Sequence, residues 1–300
     1  MRGRYHQSDI MKKFLILSLL RLFALLPFRA LYCVSDVIGW VLDHVLHYRG
    51  QVVRENLQRS FPEKSDEEIR SIMQGYYRHM GDLIVETIKL LHISDHQLDK
   101  HIDVRNPELI EVLAADGRSI VCFLGHYGNW EWVQEICRRY DRPQYTCEIY
   151  QPLRDHAMDG VMHRIRSRWD TTLIPSKQAM RHLLGLHREG IQFLCGFIAD
   201  QRPKGVQSHW TTFLHQDTAF VTGGEDIGRH IHAHFVYIDV EKTRRGHYAL
   251  TFRKIVPTDR EQEQPYPYTM AYMRMMQQRI EQQPAYWLWS HKRWKYKKKV

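Results

Sequence analysis

The sequence lacks any Cys-x-x-Cys pair and any regular cysteine spacing. It has five cysteines, an odd number, and most of them lie in apolar stretches; they are Cys33, Cys122, Cys137, Cys147 and Cys195. This pattern predicts reduced, buried thiols on the cytosolic side of a membrane rather than a disulfide framework.

The sequence also lacks a long uninterrupted hydrophobic run. Its most apolar stretch, residues 14–26, is interrupted by Ser18 and Arg21. As a helix it would rise roughly 20 Å, which is less than the roughly 30 Å of a hydrocarbon core. No small-x-small cleavage site follows Leu26, which argues against a signal peptide. Residues 14–48 are instead predicted to form an amphipathic helical hairpin in or against a bilayer; an ordinary helical pair packed on the core is the alternative.

No internal repeat and no RRM, KH, zinc-finger or helix-turn-helix pattern is found. With 300 residues, 43% of them hydrophobic and 26% charged, the chain is long and apolar enough to bury a full core. Its net charge of +9 predicts an anionic partner, for which nucleic acid, phospholipid headgroups, phosphorylated glycolipids and acidic carrier proteins are all candidates. Charge alone does not choose among them.

The order of the apolar patterns predicts a helical lead-in followed by an α/β region. A helix is expected at 49–61, and a capping box of Ser65 and Glu68 opens a longer one to about Leu91. From residue 118 onward strands alternate with helices, which favours a largely parallel or mixed sheet flanked by helices. The predicted strands are 119–124, 145–150, 171–174, 191–199, 233–240 and 247–256, and the predicted helices are 129–140, 154–168, 177–189 and 266–283.

These patterns divide the chain into a membrane-associated region, 1–48, and a larger domain, 49–300. The larger domain comprises the lead-in to about residue 117, an α/β core over 118–283 and a basic aromatic tail over 284–300. In the tail, Trp and Tyr alternate with Lys and Arg, a mixture typical of residues at a membrane interface. Stacking on single-stranded nucleic acid is the alternative.

A strand-to-helix turn after residue 124 carries the residues with the clearest chemistry. His126 and Glu131 are five positions apart, about 140° around a regular helix, so they can meet only if His126 lies in an irregular turn. Gly125 and Gly128 permit such a turn, because glycine tolerates positive φ. A carboxylate bonded to one imidazole nitrogen raises the basicity of the other. The pair is therefore a candidate general base for a hydroxyl that attacks an acyl group; a histidine that merely caps the helix is the alternative.

Further polar groups follow later in the chain. Asp200 and Gln201 come at the carboxyl end of a predicted strand, where open α/β sheets bind ligands, although Asp can also simply begin a turn. Arg164, Arg166 and Arg168 can bind phosphate or carboxylate groups, or form a solvated helix face.

Three histidines alternate at the start of a predicted strand. They are His230, His232 and His234, and side chains at this spacing share one face of a strand. A metal site is geometrically possible there, but no carboxylate or cysteine is placed to complete it. No metal is therefore predicted, and an edge-strand surface is the ordinary interpretation.

Together these segments resemble the bacterial lipid A biosynthesis acyltransferases, the late acyltransferases of the lauroyl and myristoyl type, which share a His-x4-acid motif with a wider group. The resemblance covers nearly the whole chain, and its most specific part is the Gly-His-Tyr-Gly-Asn-Trp-Glu block at 125–131. The other similar segments are Leu25-Leu26-Pro27, Arg54-Glu55-Asn56-Leu57, Phe61-Pro62-Glu63, Arg164, Asp200-Gln201 and Trp289 to Lys295. One departure is His215, which stands where the family usually has the glycine of a Phe-Phe-Gly segment.

The resemblance implies a fold like that of the glycerolipid acyltransferases and a role for each matching residue. His126 would act as general base on the acceptor hydroxyl, and Glu131 would orient and polarise it. Arg164 would bind a phosphate or other charge of the acceptor. Asn129 and the Asp200–Gln201 pair would shape the substrate site.

The implied reaction is acyl transfer from an acyl-acyl carrier protein to a hydroxyl of a lipid A precursor. It would take place at the bacterial inner membrane, with the active site on the cytoplasmic side and no nucleic-acid partner. Since a thioester is already activated, no cofactor is implied. Coenzyme A in place of the carrier protein, another lipid acceptor (a lysophospholipid, ornithine lipid or glycolipid) and a non-catalytic basic membrane or nucleic-acid binder remain as alternatives.

Overall fold

The computed structural model describes residues 7–140, 143, 145–203 and 209–298. The helices in this part of the chain are α1 (Gln7–Ala24), α2 (Phe28–Trp40), α3 (Gly50–Ser60), α4 (Asp66–Lys89), α5 (Asp95–Leu98), α6 (Glu108–Ala114), α7 (His156–Arg166), α8 (Ala179–Arg188), α9 (Gly223–His230), α10 (Asp259–Gln262) and α11 (Pro267–Gln282). The strands are β1 (Ile102–Val104), β2 (Ile120–Leu124), β3 (Tyr145–Tyr150), β4 (Thr172–Pro175), β5 (Phe193–Ile198), β6 (Trp210–Phe213), β7 (Gln216–Ala219), β8 (His234–Arg244) and β9 (His247–Lys254).

A mostly parallel sheet lies at the centre of the protein. Its seven described strands follow the order β1-β9-β8-β2-β5-β3-β4. Every neighbouring pair is parallel except β8 and β9, which form an antiparallel hairpin. All five residues of β2 are buried, as expected of a strand inside a sheet that is covered by helices on both faces. The predicted fold class, a largely parallel or mixed sheet flanked by helices, is confirmed.

Most of the predicted elements are present with small changes at their ends. The six predicted strands correspond to β2, β3, β4, β5, β8 and β9, and the capping box of Ser65 and Glu68 begins α4 as expected. The helix predicted at 129–140 is replaced by an irregular turn and a short 3-10 helix, Val133–Arg138. The strand β1 and the hairpin β6–β7 were not predicted; each of these strands has only three or four residues.

The departure at His215 lies in the turn of the β6–β7 hairpin. Leu214 and His215 form its two-residue turn, and both have positive φ, 47° and 61°. Glycine or asparagine is strongly preferred at such positions, because a Cβ atom is strained there. Leu214 is fully buried, whereas His215 is exposed. A glycine would suit the backbone at residue 215, and nothing in the described contacts explains the histidine.

The first two helices expose large apolar side chains on the protein surface. α1 packs against α4 and α7, and α2 packs against α4. Large apolar side chains nevertheless remain exposed on these helices and the turn after them; they include Ile10, Met11, Phe14, Leu15, Leu19, Leu22, Leu25, Val37, Trp40, Val45 and Leu46. In the described part of the chain no single helix has the length and hydropathy of a membrane span. The two segments Asp9–Ala24 and Phe28–Val45, bent by 118°, satisfy these criteria only as a pair.

A glycine on α4 allows α2 to approach closely. A Cβ atom at Gly81 would lie 2.4 Å from the carbonyl oxygen of Ser35, a backbone atom of α2. We therefore expect Gly81→Ala to lower the free energy of unfolding by about 1–3 kcal/mol, because the two helices must separate.

Gly185→Ala is the matched control, since Gly185 lies within α8 and its Cβ would meet nothing within 4 Å. This control should raise the free energy of unfolding by about 0.5–1 kcal/mol, because alanine restricts the unfolded chain. Urea denaturation followed by tryptophan fluorescence measures both variants. A Gly81→Ala protein as stable as the wild type would contradict the close packing of α2 on α4.

Candidate active site

The register of the central strands brings two predicted site residues together. Leu124 at the end of β2 pairs with Ile198 at the end of β5, and the N–H of Ala199 continues this pairing by donating to the carbonyl oxygen of Leu124 at 3.2 Å. His126 and Asp200 each lie two residues beyond these strand ends. Because the strands are parallel, both residues emerge at the same edge of the sheet, where ligands bind in folds of this kind.

His126 and Asp200 form a close hydrogen-bonded pair. The imidazole Nδ1 lies 2.6 Å from Asp200 Oδ1, and the backbone N–H of His126 donates to Asp200 Oδ2 at 2.9 Å. The indole N–H of Trp287 also donates to Oδ2, at 2.7 Å. Burial by itself would raise the pKa of the Asp200 carboxyl, but the charge of His126 and these hydrogen bonds outweigh it, so that the pKa lies below its ordinary value.

The contacts of the ring assign a role to each imidazole nitrogen. An ionised Asp200 only accepts hydrogen bonds, so Nδ1 carries the proton that faces it. In the neutral imidazole the lone pair is then on Nε2, where it accepts a hydrogen bond from the side-chain amide nitrogen of Gln201 at 3.2 Å. The His126 side chain is 18% exposed, against 2% for Asp200. The nitrogen that can accept a proton therefore belongs to the more accessible member of the pair.

Two glycines allow this turn, as predicted. Gly128 has a φ of 58°, and a Cβ there would lie 2.8 Å from Val240 Cγ1. Gly125 has a different role: a Cβ there would lie 2.3 Å from the terminal carbon of Met276, so its missing side chain admits α11 against the turn. His126 lies between the two glycines, in irregular backbone.

Glu131 does not form the predicted direct bond with His126. Its carboxylate accepts two hydrogen bonds from Arg166, at 2.8 and 2.6 Å, and one from the Trp130 indole, at 3.1 Å. Trp130 in turn packs edge-on against the His126 ring, with centroids 5.1 Å apart. Because the chain is not yet helical at Glu131, this side chain faces α7 instead of the imidazole. The carboxylate bonded to His126 is Asp200.

Asn129 supports the turn from inside the protein. It is 1% exposed, its amide nitrogen donates to Glu86 at 2.8 Å, and its amide oxygen accepts from the backbone N–H of Trp132 at 3.1 Å. Glu86 also accepts hydrogen bonds from Tyr32 and Tyr248. Burial raises the pKa of Glu86 to about 7. Asn129 therefore anchors the turn to α4, and its amide faces the interior.

Arg164 lies apart from the imidazole. It is exposed on α7 and lines a pocket of about 260 Å³ together with Arg21, Arg168 and the segment from Leu90 to Ile93. His126 is not among the residues that line this pocket. Arg166, not Arg164, is the arginine of α7 that contacts the turn, because it donates two hydrogen bonds to Glu131.

The basic aromatic tail closes one side of the site. Trp287 pairs with Tyr127 in an isolated antiparallel bridge, and the backbone N–H of Leu288 donates to the carbonyl oxygen of His126 at 3.1 Å. Trp287 and Trp289 are 3% and 0% exposed. The prediction that the tail aromatics lie at a membrane interface is therefore wrong for these two residues, because they pack in the core beside the turn.

Sequence reasoning missed two groups in this neighbourhood. They are Trp287, which binds Asp200, and Arg293, which is 3% exposed. The available signal was the closing aromatic and basic segment of the family pattern, but its mixture of Trp and Tyr with Lys and Arg predicts a membrane interface. Arg166, one of the arginines expected to bind a phosphate or carboxylate or to form a solvated face, binds the carboxylate of Glu131.

The three alternating histidines do not come together. His234 is buried and bonds to Asp116 at 2.9 Å, whereas His230 and His232 are exposed. Among the residues described, no cluster of three or more His, Cys, Asp or Glu side chains is placed to hold a metal ion.

Comparison with known proteins identifies the family. A model of the bacterial lipid A biosynthesis acyltransferases matches residues 3–296. The lipid A biosynthesis palmitoleoyltransferase of Escherichia coli (strain K12) is 24% identical over 290 residues, which cover 93% of this chain and 89% of the relative. The lipid A biosynthesis acyltransferase of Shigella flexneri shows the same identity and coverage. The chain therefore belongs to the bacterial lipid A biosynthesis acyltransferases and is an enzyme of the acyltransferase class.

Proposed function

We propose that the protein transfers a fatty acyl chain from an acyl-acyl carrier protein to a hydroxyl of a lipid A precursor, with His126 as the general base. The observation that carries this proposal is the bond between His126 Nδ1 and Asp200, which puts the lone pair of the neutral imidazole on Nε2. Family membership supports the acceptor class. The sequence resemblance supports the carrier-protein donor, with coenzyme A as the alternative.

The geometry supports a balanced reaction. Nε2 takes the proton of the acceptor hydroxyl as its oxygen attacks the thioester carbon, and Asp200 stabilises the imidazolium that forms. When the tetrahedral intermediate collapses, the carbon–sulfur bond breaks and the imidazolium returns the proton to the departing thiolate. An ester and a free thiol result, with no net change in protons. The Gln201 amide, 3.2 Å from Nε2, occupies the place that the hydroxyl must take.

Glu131 and Asn129 act in this proposal as positioning residues. Glu131 fixes Trp130 beside the His126 ring and neutralises Arg166. Asn129 ties the turn to Glu86. Both fix the imidazole indirectly, and a small displacement of a catalytic base is costly to the rate.

Charge complementarity supports the proposed partners. The chain carries a net charge of +9, and phosphorylated glycolipids and acidic carrier proteins are both anionic. In the pocket beside Arg164, the guanidinium groups of Arg21 and Arg164 are available to a lipid phosphate, the role that the sequence resemblance implies for Arg164. Arg168, also in this pocket, already donates to the carbonyl oxygens of Leu90 and Ile93. A neutral acceptor would gain little from this charge.

Acyl transfer by purified protein tests the function. Wild type, given an acyl-acyl carrier protein and a tetra-acylated lipid A precursor, should produce a lipid heavier by one acyl group, as measured by mass spectrometry. His126→Ala should lower kcat by about 10²–10⁴-fold, because the general base is lost. His234→Ala is the control, since His234 bonds to Asp116 away from the turn.

Two outcomes would contradict the proposal in different ways. If wild type acylated a lysophospholipid or an ornithine lipid but not the lipid A precursor, the acceptor assignment would be wrong. If His126→Ala retained the wild-type kcat, the base assignment would be wrong.

We propose further that the protein associates with the cytoplasmic face of the bacterial inner membrane through α1 and α2. The large exposed apolar side chains of these two helices support this, since apolar side chains grouped on one part of a surface mark a membrane or protein interaction site. Leu15→Asp together with Leu22→Asp should reduce flotation with vesicles of anionic phospholipid at least severalfold, because charge opposes insertion. Val112→Asp, on an exposed apolar residue of α6, is the control. Equal flotation of all three proteins would contradict the role of α1.

A further inference from the structure

Arg293 is a buried cation whose guanidinium has no hydrogen-bond partner in the part of the chain that the structure describes. Its side chain belongs to the tail and is 3% exposed. None of its three guanidinium nitrogens, Nε, Nη1 and Nη2, has a hydrogen-bond partner among the described residues, although all three are buried. A buried charge is normally paired, since removing an isolated charge from water is costly.

Other partly buried arginines in this protein follow that rule. Arg279 is 12% exposed and binds both oxygens of Asp239, at 2.7 and 2.8 Å. Arg166 is 21% exposed and binds both oxygens of Glu131. Arg293 is more deeply buried than either and has no such carboxylate. Among the described residues this difference makes Arg293 a candidate site for an anionic ligand.

The surroundings of Arg293 have an excess of positive charge. Burial lowers the pKa of Arg293 to about 10; the charge of Asp200 opposes this effect and that of Arg202 adds to it. His291 lies close by, and its pKa is lowered to about 4 by burial despite the charge of Asp200. The hydrogen bonds of Asp200 are already made to His126 and Trp287. Because His291 is then neutral at pH 7, the one carboxylate faces two arginines, Arg202 and Arg293, and an added anion would be stabilised there.

An open cavity adjoins Arg202. It has a volume of about 430 Å³, lies beyond the ends of β3 and β5, and is lined by Ala199, Arg202 and Pro203 among others. The Nε of Arg202 is buried and also has no hydrogen-bond partner in the described part of the chain. The ends of parallel strands are where ligands enter sheets of this kind. Arg202 therefore lines an accessible cavity, and its charge also acts on Arg293.

We propose that Arg293, together with Arg202, binds a phosphate group carried by a substrate, next to the His126–Asp200 pair. Guanidinium groups bind phosphate bidentately, and the five donors of Arg293 are uncommitted. This proposal rests on the proposed function for the identity of the substrates. Two of their groups have the required chemistry: the phosphodiester of the pantetheine arm of the donor and the sugar phosphate of the acceptor.

Thermal stability distinguishes a ligand site from a structural contact without any need for turnover. Arg293→Met removes an unpaired buried charge and keeps an apolar chain of similar length, so its Tm in phosphate-free buffer should rise by several degrees. Inorganic phosphate should raise the Tm of wild type but not that of Arg293→Met. Arg279→Met is the control, because it removes two of the hydrogen bonds to the buried Asp239, which then keeps only the exposed Arg253, and should lower the Tm. An Arg293→Met protein that loses stability as the control does, with an unchanged response to phosphate, would overturn the proposal.

Steady-state kinetics identify the source of the phosphate. One arm compares acyl-phosphopantetheine with acyl-pantetheine as donor, and the other compares phosphorylated with dephosphorylated acceptor. Arg293→Met should raise KM at least about tenfold for the substrate whose phosphate is bound, because a charge-assisted pair is lost. For the analogue without phosphate, wild type and variant should have the same KM. Equal KM values in both arms would overturn the proposal.

The two experiments separate this inference from the proposed function. If wild type shows no transfer with any of these substrates, the proposed function fails, and the effect of inorganic phosphate on Tm still decides whether Arg293 is an anion site.

Discussion

The carboxylate of Asp200 joins three parts of the chain that are far apart in sequence. It follows β5, it accepts two hydrogen bonds from His126 after β2, and it accepts a third from Trp287 in the tail. The parallel pairing of β2 with β5 brings the first two together, and the tail completes the arrangement by pairing with Tyr127. A register shift of one residue would separate the imidazole from its carboxylate. The contact between His126 and Asp200 therefore depends directly on the register of β2 and β5 in the sheet.

A second set of buried polar contacts fixes the turn to α4. Glu86 of α4 accepts hydrogen bonds from Asn129 in the turn and from Tyr32 of α2. The imidazole of His79, also on α4, lies 3.1 Å from the carbonyl oxygen of Gly128. Such contacts make α4 a rigid bridge between the turn at His126 and the helices that carry the exposed apolar surface. Under the proposed function one substrate is in water and the other in a bilayer, so the active site must lie at a fixed place relative to that surface.

Much of this arrangement could be predicted from the sequence, because strands, capping boxes and the His126 block are local patterns. The carboxylate partner of His126 could not be predicted in this way. Glu131 is close to His126 in sequence, but a parallel sheet brings together residues that are far apart, and Asp200 is 74 positions away.

The prediction for the tail was wrong for a related reason. Its Trp and Lys content is typical of an interface, and only the pairing with Tyr127 shows that Trp287 is buried. Composition alone carries no information about such pairing.

The most direct test of this account is a double-mutant cycle on kcat for acyl transfer, with His126→Ala, Asp200→Asn and the double variant. If the two side chains act as one catalytic unit, each single variant should lose about 10²–10⁴-fold and the double variant should be no slower than His126→Ala alone. If the two losses multiply in the double variant, Asp200 does not act through the imidazole. The assignment of Asp200 as the carboxylate partner of His126 would then be contradicted.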